Sequence, residues 1–277
     1  MPMNIEELKE TARTLRKSIV EMAYKGGHPS HPGPALSCAD IVAALYFRCM
    51  RLGDKKTRVD PEADRDRFVI SKGHAVPVLY AALAELDYFP KDWLLTLRRL
   101  GSKLQGHPDM KKTPGVDMTS GSLGNGLAAG LGMAIWAKIQ KWKAQTFVLL
   151  GDGEIQEGLV WEAAMSAPNL GLDNLIAIVD YNHFQSCGAT DCISPVEPLA
   201  DKWTSFGWKT FEINGHDMPE IVSRLEMARE FKGRPVAIIA HTVKGKGVSY
   251  MENDNAWHQK KPSDEQYAQA MRELEGK

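Results

Sequence analysis

The chain has 277 residues, of which 43% are hydrophobic and 25% are charged, and its formal net charge is −1. These proportions are ordinary for a globular protein, and the balanced charge gives no indication of binding to nucleic acid or to an anionic membrane. No apolar run approaches the length that a membrane span requires. The four cysteines include no CxxC pair, and the first residues have the pattern of an amphipathic helix rather than a signal peptide. We therefore expect a cytoplasmic protein with neither a zinc site nor a disulfide framework.

Helical and strand patterns alternate along the chain. The segments 26–37 and 101–124 are rich in glycine, proline or small polar residues and are expected to be loops, and 52–66 is expected to be charged and exposed. Alternation of this kind predicts an α/β fold, a doubly wound parallel sheet with helices on both faces, formed by residues 1–277 as a single domain. The predicted helices are 4–25, 37–50, 75–88, 91–99, 125–143, 157–170, 217–230 and one at the end of the chain; the predicted strands are 67–71, 146–150, 174–180, 211–214 and 235–241.

A carboxylate and an amide follow two of the predicted strands. Asp152 lies between Gly151 and Gly153 after the strand 146–150, and Asn182 follows the strand 174–180. Because parallel strands end at the same edge of a sheet, these side chains are expected to converge where open α/β sheets bind ligands. A carboxylate, an amide and a backbone carbonyl form an all-oxygen ligand set that suits Mg²⁺ holding a pyrophosphate.

Four separate loops carry histidine beside glycine or proline. A single loop histidine is most often a surface residue, but several imidazoles around one pocket can hydrogen-bond phosphate oxygens and sugar hydroxyls and can move protons. The loops are Gly27–Gly33 with His28 and His31, Ser71–His74, Gln105–Pro108 with His107, and Ala256–His258.

These motifs together resemble a known family. The order GDG, about thirty residues and then Asn resembles the fingerprint of thiamin diphosphate enzymes, and the string GDGEIQEG-x-x-WEAA is similar to transketolases. The segments SHPGPALSCADIVAALYF, RDRFVISKGHAVPVLY, GHPD, TSGSLGNG and TVKGKGVSYMENDNAWHQK are similar to other transketolase blocks, although Ser30, Asn125 and Cys187 depart from the usual residues. The resemblance extends from about residue 8 to 262, and it matches only the first half of a full-length transketolase.

The resemblance implies a role for each matched residue. Mg²⁺ would be bound by Asp152, Asn182 and the carbonyl group of Phe184, and substrate would be contacted by His31, His107 and His258. Thiamin diphosphate would be contacted by His74, Gly153 and His258 at its diphosphate and by Gly121, Ser122 and Leu123 at its aminopyrimidine ring. His28, Lys244, Lys246 and Cys187 receive no role. Glu157 and Glu162 are either solvated residues of a first helical turn or, as in the family, residues of a subunit interface.

The family also needs a glutamate against the pyrimidine ring, and that residue belongs to a second domain that nothing in this chain resembles. The resemblance therefore implies an N-terminal subunit of a split transketolase, which transfers a two-carbon ketol unit between sugar phosphates with thiamin diphosphate and Mg²⁺. Its partner would be a C-terminal, pyrimidine-binding subunit, and we expect a homodimer of this chain within an α₂β₂ assembly.

Three alternatives stay open from the sequence. The chain could belong to another thiamin diphosphate enzyme, similar to 1-deoxyxylulose-phosphate synthase or to the α subunit of a 2-oxo acid dehydrogenase. It could be a split transketolase for a sulfonated or branched sugar. In a different class, it could be a non-catalytic binding protein of the same fold, although Asp152 and Asn182 are both present.

Overall fold

In the computed structural model, which describes residues 3–54, 60 and 62–276, a parallel sheet lies at the centre. Its strands have the spatial order β1-β2-β3-β7-β6. A short antiparallel pair, β4 and β5, follows β3. The strands are β1 Arg67–Ile70, β2 Thr146–Gly151, β3 Leu175–Tyr181, β4 Phe184–Gln185, β5 Gly188–Ala189, β6 Lys209–Asn214 and β7 Val236–His241.

Helices precede, connect and follow these strands. They are α1 Ile5–Lys25, α2 Pro32–Ser37, α3 Ala39–Ala44, α4 Val76–Glu85, α5 Asn125–Ile139, α6 Gly158–Asn169, α7 Thr190–Ile193, α8 Leu199–Ser205, α9 Met218–Glu230 and α10 Asp264–Glu275. A π-helical turn spans Leu45–Cys49, and 3₁₀ turns span Gly73–Ala75, Lys91–Thr96, Glu154–Gln156 and Asn255–Trp257.

Both faces of the sheet are covered. Alternate residues of a strand belong to different cores: Phe147 and Leu149 of β2 pack with α1, α4 and α9, whereas Val148 and Leu150 pack with α5, α6 and α8. This burial on both sides explains why β2, β3 and β7 read as continuous apolar runs rather than as alternating patterns. The predicted α/β fold with helices on both faces is confirmed.

The first helix shows how the sequence specifies a local element. Asn4 accepts a hydrogen bond from the backbone N–H of Glu7, and the Glu7 side chain accepts one from the Asn4 backbone, which is a capping box. Leu8, Leu15 and Ile19 then recur at helical spacing and are fully buried. The helix predicted over 4–25 forms for these two reasons.

The strand register brings the carboxyl ends of the central strands to one edge. Gly151 of β2 lies opposite Asp180 of β3, and Tyr181 lies opposite His241 of β7. The connection from β2 to β3 passes through α6 on one face, and the connection from β6 to β7 passes through α9 on the other. Because these two crossovers lie on opposite faces, the strand order reverses between β3 and β7. The sheet edge at this point is therefore a topological switch point.

Several predicted segments differ from the structure. The second half of the predicted loop 26–37 is α2, because Pro32 occupies the first helical position, where its fixed φ is favourable. The helix predicted over 37–50 is α3 followed by the π-helical turn Leu45–Cys49, and the helix predicted over 91–99 is the 3₁₀ turn Lys91–Thr96. The pattern did not predict α7, α8 or the β4–β5 pair.

The prediction that 52–66 is exposed is wrong at its end. Asp66 is fully buried, because it accepts hydrogen bonds from the backbone N–H groups of Arg51 and Gln145 and pairs with Arg229. Buried charges are stable in this way only when they are paired and hydrogen-bonded. Residues 55–59 and 61 lie outside the described residues. Within the described ranges, none of the helices is both long and apolar enough to cross a bilayer.

Candidate active site

Three of the predicted histidine loops meet above the sheet edge. The ring centroids of His31 and His74 are 5.3 Å apart, those of His31 and His258 are 5.5 Å apart, and those of His74 and His258 are 5.1 Å apart. Backbone contacts hold the loops together: the Lys260 N–H donates to the Ser30 carbonyl at 3.1 Å, closing a short bridge between the first and last loops.

These histidines and His107 line one cavity of about 450 Å³. Every residue predicted to contact cofactor, metal or substrate lines it, with the exception of Ser122. The Ser122 carbonyl instead accepts a hydrogen bond from the Asn125 side chain at 3.2 Å. The predicted residues in the lining are His31, His74, His107, Gly121, Leu123, Asp152, Gly153, Asn182, Phe184 and His258.

Asp152 and Asn182 lie at the carboxyl ends of β2 and β3, where they were expected. Asp152 is 1% exposed, and its Oδ1 accepts a hydrogen bond from the Gly153 N–H at 2.9 Å. Burial, followed by the neighbouring Asp180, raises the pKa of Asp152 to about 7. Asn182 Oδ1 accepts a hydrogen bond from the Phe184 N–H at 3.1 Å, which fixes the tight turn that follows β3.

A buried ion pair that the sequence analysis missed supports this edge from below. Lys72 Nζ pairs with Asp180 and also donates to the Pro34 carbonyl at 2.8 Å. Asp180 further accepts hydrogen bonds from Ser37 and Thr242, which come from α2 and from the loop after β7. The pair therefore joins four chain segments beneath the cavity. Lys72 stands next to the predicted His74 in the motif SKGH, but its apolar stem and buried ammonium gave no sequence signal.

Glu154 is a second residue that was missed. It is buried, and it accepts hydrogen bonds from Ser71 and from the N–H groups of Gly124 and Gly151, both at 3.0 Å. It therefore ties the loop 121–124 to the ends of β1 and β2. Gly121 has φ +146°, and a Cβ atom there would lie 3.1 Å from the His107 ring, so glycine allows the close approach of the loop to that histidine.

The imidazoles of the cavity are neutral near pH 7. Burial, followed by the charge of Arg98, lowers the pKa of His31 to about 4. Burial, followed by the charge of Lys244, lowers the pKa of His258 to about 3. Burial also lowers the pKa of His74 and of His107. Each ring then offers one N–H donor and one lone pair, a combination that matches sugar hydroxyl groups better than anions.

Lys244, to which the sequence analysis gave no role, is fully buried in the loop after β7. Its ammonium hydrogen-bonds Asn255 Oδ1 at 2.6 Å and His258 Nδ1 at 3.0 Å, and burial lowers the pKa of this lysine to about 8. It also lies 5.4 Å above the Phe184 ring. Lys244 therefore orients His258 against the loop that carries the predicted metal ligands.

The residues present fit a divalent cation and a diphosphate. Asp152 Oδ2 is buried and is among the atoms without a hydrogen-bond partner in the described chain, so a cation would satisfy it. Within residues 3–54, 60 and 62–276 no three His, Cys, Asp or Glu side chains are grouped to hold a metal, so the oxygen atoms of Asn182 and of a backbone carbonyl must complete such a set. The backbone around Gly153 and the buried cations Lys72 and Lys244 are suited to a ligand of high negative charge.

The remaining sequence candidates lie at the rim or outside. Glu157 lines the outer part of the cavity and is exposed, and Glu162 of α6 is exposed as well. Cys187 is exposed on the β4–β5 turn. His28 does not line this cavity but a neighbouring one.

Comparison with known proteins identifies the family. The family described as "Transketolase, thiamine diphosphate binding domain" matches residues 5–276. The 6-deoxy-6-sulfo-D-fructose transketolase subunit SqwG of Clostridium sp. (strain MSTE9) is 46% identical over 97% of this chain and 96% of that protein. A subunit of the apulose-4-phosphate transketolase of Phocaeicola vulgatus is 42% identical over 98% of this chain and 95% of its own length.

Longer relatives show which part of the enzyme this chain represents. Mus musculus transketolase is 40% identical over 92% of this chain but only 40% of its own length. The crystal structure of the Campylobacter jejuni transketolase superposes with a TM-score of 0.88 at 32% identity, covering 99% of this chain and 43% of that one. The chain therefore belongs to the transketolase family, and it is an N-terminal, thiamine diphosphate-binding transferase subunit of the split type.

Proposed function

We propose that this subunit binds Mg²⁺ and the diphosphate of thiamin diphosphate at the ends of β2 and β3 and transfers a two-carbon ketol unit from a ketose phosphate to an aldose phosphate. The observation that carries the proposal is the convergence of His31, His74 and His258 over the buried Asp152–Asn182 edge. A non-catalytic protein of the same fold would have no need for an unsatisfied carboxylate oxygen and a histidine cluster in one cavity.

The cavity residues divide into ligands for the metal, contacts to the diphosphate and contacts to the aminopyrimidine ring. Asp152, Asn182 and the carbonyl of Phe184 supply oxygen ligands for Mg²⁺. His74, His258 and the backbone of Gly153, which line the cavity, hold the diphosphate, and Lys244, which hydrogen-bonds His258, adds a cation to the same side. Gly121 and Leu123, with the adjacent Ser122, offer backbone groups and an apolar face to the aminopyrimidine ring.

His31, His107 and His258 act on the substrate. Thiamin diphosphate, when bound, supplies the stabilised carbanion chemistry that ketol transfer requires. Because these three imidazoles are neutral near pH 7, they can donate to or accept from sugar hydroxyl groups and can take up a proton when a hydroxyl is deprotonated. Their contribution is to orient the sugar and to move protons at its oxygen atoms.

We further propose that the chain works with a C-terminal, pyrimidine-binding subunit in an α₂β₂ assembly that contains a homodimer of this chain. Exposed apolar side chains at the cavity rim and on α5 and α6 support this arrangement. Leu123 at the cavity rim is 39% exposed, and Trp136 on α5 and Met165 on α6 are 43% and 47% exposed. Exposed apolar side chains of this size support the presence of a surface that another chain covers.

Reconstitution tests the proposal. The purified chain should bind thiamin diphosphate in calorimetry only in the presence of Mg²⁺, and it should show ketol transfer only after the product of the neighbouring gene is added. Light scattering should then report the mass of two copies of each chain. Full turnover by this chain alone would refute the requirement for a partner, and absence of cofactor binding would favour a non-catalytic protein.

A second candidate concerns the substrate. The similarity to subunits named for 6-deoxy-6-sulfo-D-fructose and for apulose 4-phosphate supports a donor with a sulfonate group or a branched carbon chain. A donor panel of xylulose 5-phosphate, 6-deoxy-6-sulfo-D-fructose and apulose 4-phosphate decides between the substrates. The correct donor should exceed the others in kcat/KM, and equal values would leave no preference for a particular anionic group.

A further inference from the structure

A row of three hydrogen-bonded side chains, which we call the polar row, ends at the loop that carries Lys244. It consists of Arg16 on α1, Asp40 on α3 and His216 in the turn between β6 and α9. The two Nη atoms of Arg16 donate to the Asp40 carboxylate at 3.1 and 2.5 Å, and Asp40 Oδ2 lies 2.8 Å from His216 Nδ1. These side chains are only 10–14% exposed, and none of the three lines the cavity of about 450 Å³.

The partners of the His216 ring fix the position of its hydrogen. A backbone N–H can only donate, so the Val243 N–H, 2.8 Å from His216 Nε2, requires a lone pair at that nitrogen. The single N–H of the ring is then at Nδ1, where it donates to Asp40. His216 is therefore a neutral imidazole that is oriented by a carboxylate on one side and holds a backbone N–H on the other.

The turn and the polar row hold the loop after β7 at further points. The Gly215 N–H donates to the His241 carbonyl at 2.8 Å, and a Cβ atom on Gly215 would lie 2.4 Å from Thr242 Cγ2. Arg16 contacts the loop further on, where a Cβ atom on Gly247 would lie 3.1 Å from its Cδ. The loop is therefore fixed on both sides of its buried lysine.

Lys244 follows Val243 directly and passes this constraint on to His258. Its ammonium group donates to Asn255 Oδ1 at 2.6 Å and to His258 Nδ1 at 3.0 Å. An ammonium group can only donate, so His258 Nδ1 accepts and the hydrogen of this neutral ring lies on Nε2. Asn255 in turn donates to the Ser186 carbonyl at 3.0 Å. The position of the lysine thus determines which nitrogen of His258 carries the hydrogen.

Stability alone does not account for the polar row. The helices α1, α3 and α9 share an apolar core that contains Leu15, Ile41 and Ile221. Replacing a buried ion pair by well-packed apolar residues is often neutral or stabilising. Hydrogen bonds with defined directions, in contrast, fix the orientation of the groups that they join. The polar row supplies that orientation at one backbone N–H next to Lys244.

Building on the proposed function, in which His258 contacts diphosphate and substrate, we propose that His216 is a positioning residue for Lys244 and His258. Oriented by the rest of the polar row, it holds Val243 in the place from which the neighbouring lysine donates to His258 Nδ1. Loss of this contact frees the start of the loop, and His258 then exchanges between its two tautomers. The orientation of the sugar weakens, while the predicted metal ligands stay in place.

Heteronuclear NMR of nitrogen-labelled histidine rings tests the proposal on the full chain without cofactor, because each tautomer has its own pair of ring-nitrogen shifts. His258→Gln identifies the signals of His258 by their loss. In the wild-type chain they should show a protonated Nε2 and an unprotonated Nδ1. His216→Ala should move both shifts toward the values of a mixture of tautomers, and Lys244→Met should do the same.

Two conservative variants separate positioning from stability. The amide of His216→Gln reaches as far as Nε2 and offers an oxygen to the Val243 N–H, whereas that of His216→Asn reaches only to Nδ1 and can contact Asp40 alone. The Gln variant should keep the wild-type tautomer of His258, and the Asn variant should behave like His216→Ala. His241→Gln, on a partly exposed ring that pairs with Glu212, is the matched control and should have no effect. Identical spectra of the Gln and Asn variants, or an equal change in His241→Gln, would overturn the proposal.

Kinetics of the enzyme reconstituted with the product of the neighbouring gene provide the second readout. His216→Asn should lower kcat/KM by about tenfold with a raised KM for the donor ketose, as expected for one lost hydrogen bond. A chain that only unfolds more readily would lose turnover at an unchanged KM. If the wild-type enzyme transfers no ketol unit but the His258 shifts respond as described, the proposed function is wrong and the positioning role stands. If ketol transfer occurs and His216→Asn keeps the wild-type shifts and KM, the positioning role is wrong.

Discussion

The inner and outer parts of the candidate site are built differently. The inner part, which we call the floor, consists of Lys72, Asp152, Asp180, Asn182 and Lys244, all less than 5% exposed and most of them linked by hydrogen bonds or ion pairs. The outer part, which we call the mouth, consists of Arg98, His107, Leu123 and Glu157, which are partly or fully exposed. The floor is fixed by this chain's own fold, whereas the mouth presents groups that this chain does not cover.

This difference matches the division of labour in a split enzyme. A buried floor can hold charged ligands rigidly because its polar groups are already oriented and shielded from water. An exposed mouth leaves room for the substrate and for the second subunit, and its side chains cost little to reorient. Variants in the floor should therefore damage cofactor binding and stability, and variants in the mouth should damage turnover and assembly.

The largest effect is expected at Asp152. Asp152→Asn keeps the size of the side chain but removes the charge that a divalent cation needs, and it should weaken Mg²⁺-dependent binding of thiamin diphosphate by more than about a hundredfold. Calorimetry measures this directly, with the exposed Asp201→Asn as a control of equal charge change. An unchanged cofactor affinity in Asp152→Asn would show that the floor does not hold the metal.

A substitution in the mouth should lower turnover and leave cofactor affinity nearly unchanged. His107→Ala should lower ketol transfer by the reconstituted enzyme by about 10²–10⁴-fold, which is typical for the loss of one positioned hydrogen bond or proton-transfer group. Cofactor affinity should stay within about twofold, because His107 is exposed at the mouth, whereas the predicted metal ligands Asp152 and Asn182 are buried in the floor. His241→Ala, on a partly exposed histidine that does not line the cavity, is the matched control. Wild-type turnover in His107→Ala would remove this residue from the site.

The sequence predicted more of the site than of the local structure around it. Asp152 and Asn182 could be recognised as candidates because they follow recognisable strands, and the histidines because they lie in loops beside glycine or proline. Lys72 and Glu154 could not, since their importance comes from burial against Asp180 and against the Gly124 loop, and burial of a charged side chain leaves no periodic trace.

The fold was predictable to a similar extent. The central strands β2, β3 and β7 are apolar on both faces, and all five strands of the sheet were recognised within a few residues of their ends. The failures lie where tertiary contacts override the pattern, as at α3, whose helical pattern runs into the π-helical turn Leu45–Cys49, and at Asp66, whose charge is satisfied by distant backbone groups. Short elements such as α7 have too few residues to show any period.

The Lys72–Asp180 ion pair within the floor tests whether the floor is preformed. Lys72→Met leaves Asp180 buried without its counter-charge and should lower the free energy of unfolding by about 3–5 kcal/mol. Lys138→Met breaks the more exposed pair with Asp173 and should cost about 1 kcal/mol or less. Urea denaturation of the chain without cofactor measures both. Equal, small losses would mean that the floor forms only when ligands bind.

A smaller, pH-dependent effect on stability is expected at Asp40, which supports the loop after β7 through His216. His216 accepts from the Val243 N–H at 2.8 Å and hydrogen-bonds Asp40 at 2.8 Å, and Asp40 also pairs with Arg16. Burial alone would raise the pKa of Asp40, but the hydrogen bond from His216 and the charge of Arg16 lower it below its ordinary value.

A depressed pKa of this kind contributes stability above the unfolded-state pKa, near 3.9 for aspartate, and the contribution is lost as the pH falls through the lower folded-state value. Asp40→Asn should therefore lower the free energy of unfolding by about 1–3 kcal/mol at pH 6 and by progressively less as the pH falls below about 3.9. Denaturation curves at several pH values measure the difference between the two proteins. A loss that is the same at every pH would show that the carboxylate charge is not the stabilising feature.

The smallest effect on the isolated chain is expected at Leu123, and it is the sharpest test of the comparison. Leu123 is 39% exposed at the mouth, whereas Leu127, one helical turn further on in α5, is fully buried. Leu123→Ala should change the free energy of unfolding by about 0.5 kcal/mol or less, since surface substitutions seldom do more, whereas Leu127→Ala should cost about 2–5 kcal/mol. The order should reverse in the assembled enzyme, where Leu123→Ala should weaken association with the partner chain and a conservative Leu127→Met should not. Denaturation of the single chain and light scattering of the mixture provide the two measurements.

A loss of stability in the single chain on Leu123→Ala would show that this residue belongs to the chain's own core. The distinction between a self-sufficient floor and a shared mouth would then fail at the part of the cavity that is predicted to bind the aminopyrimidine ring.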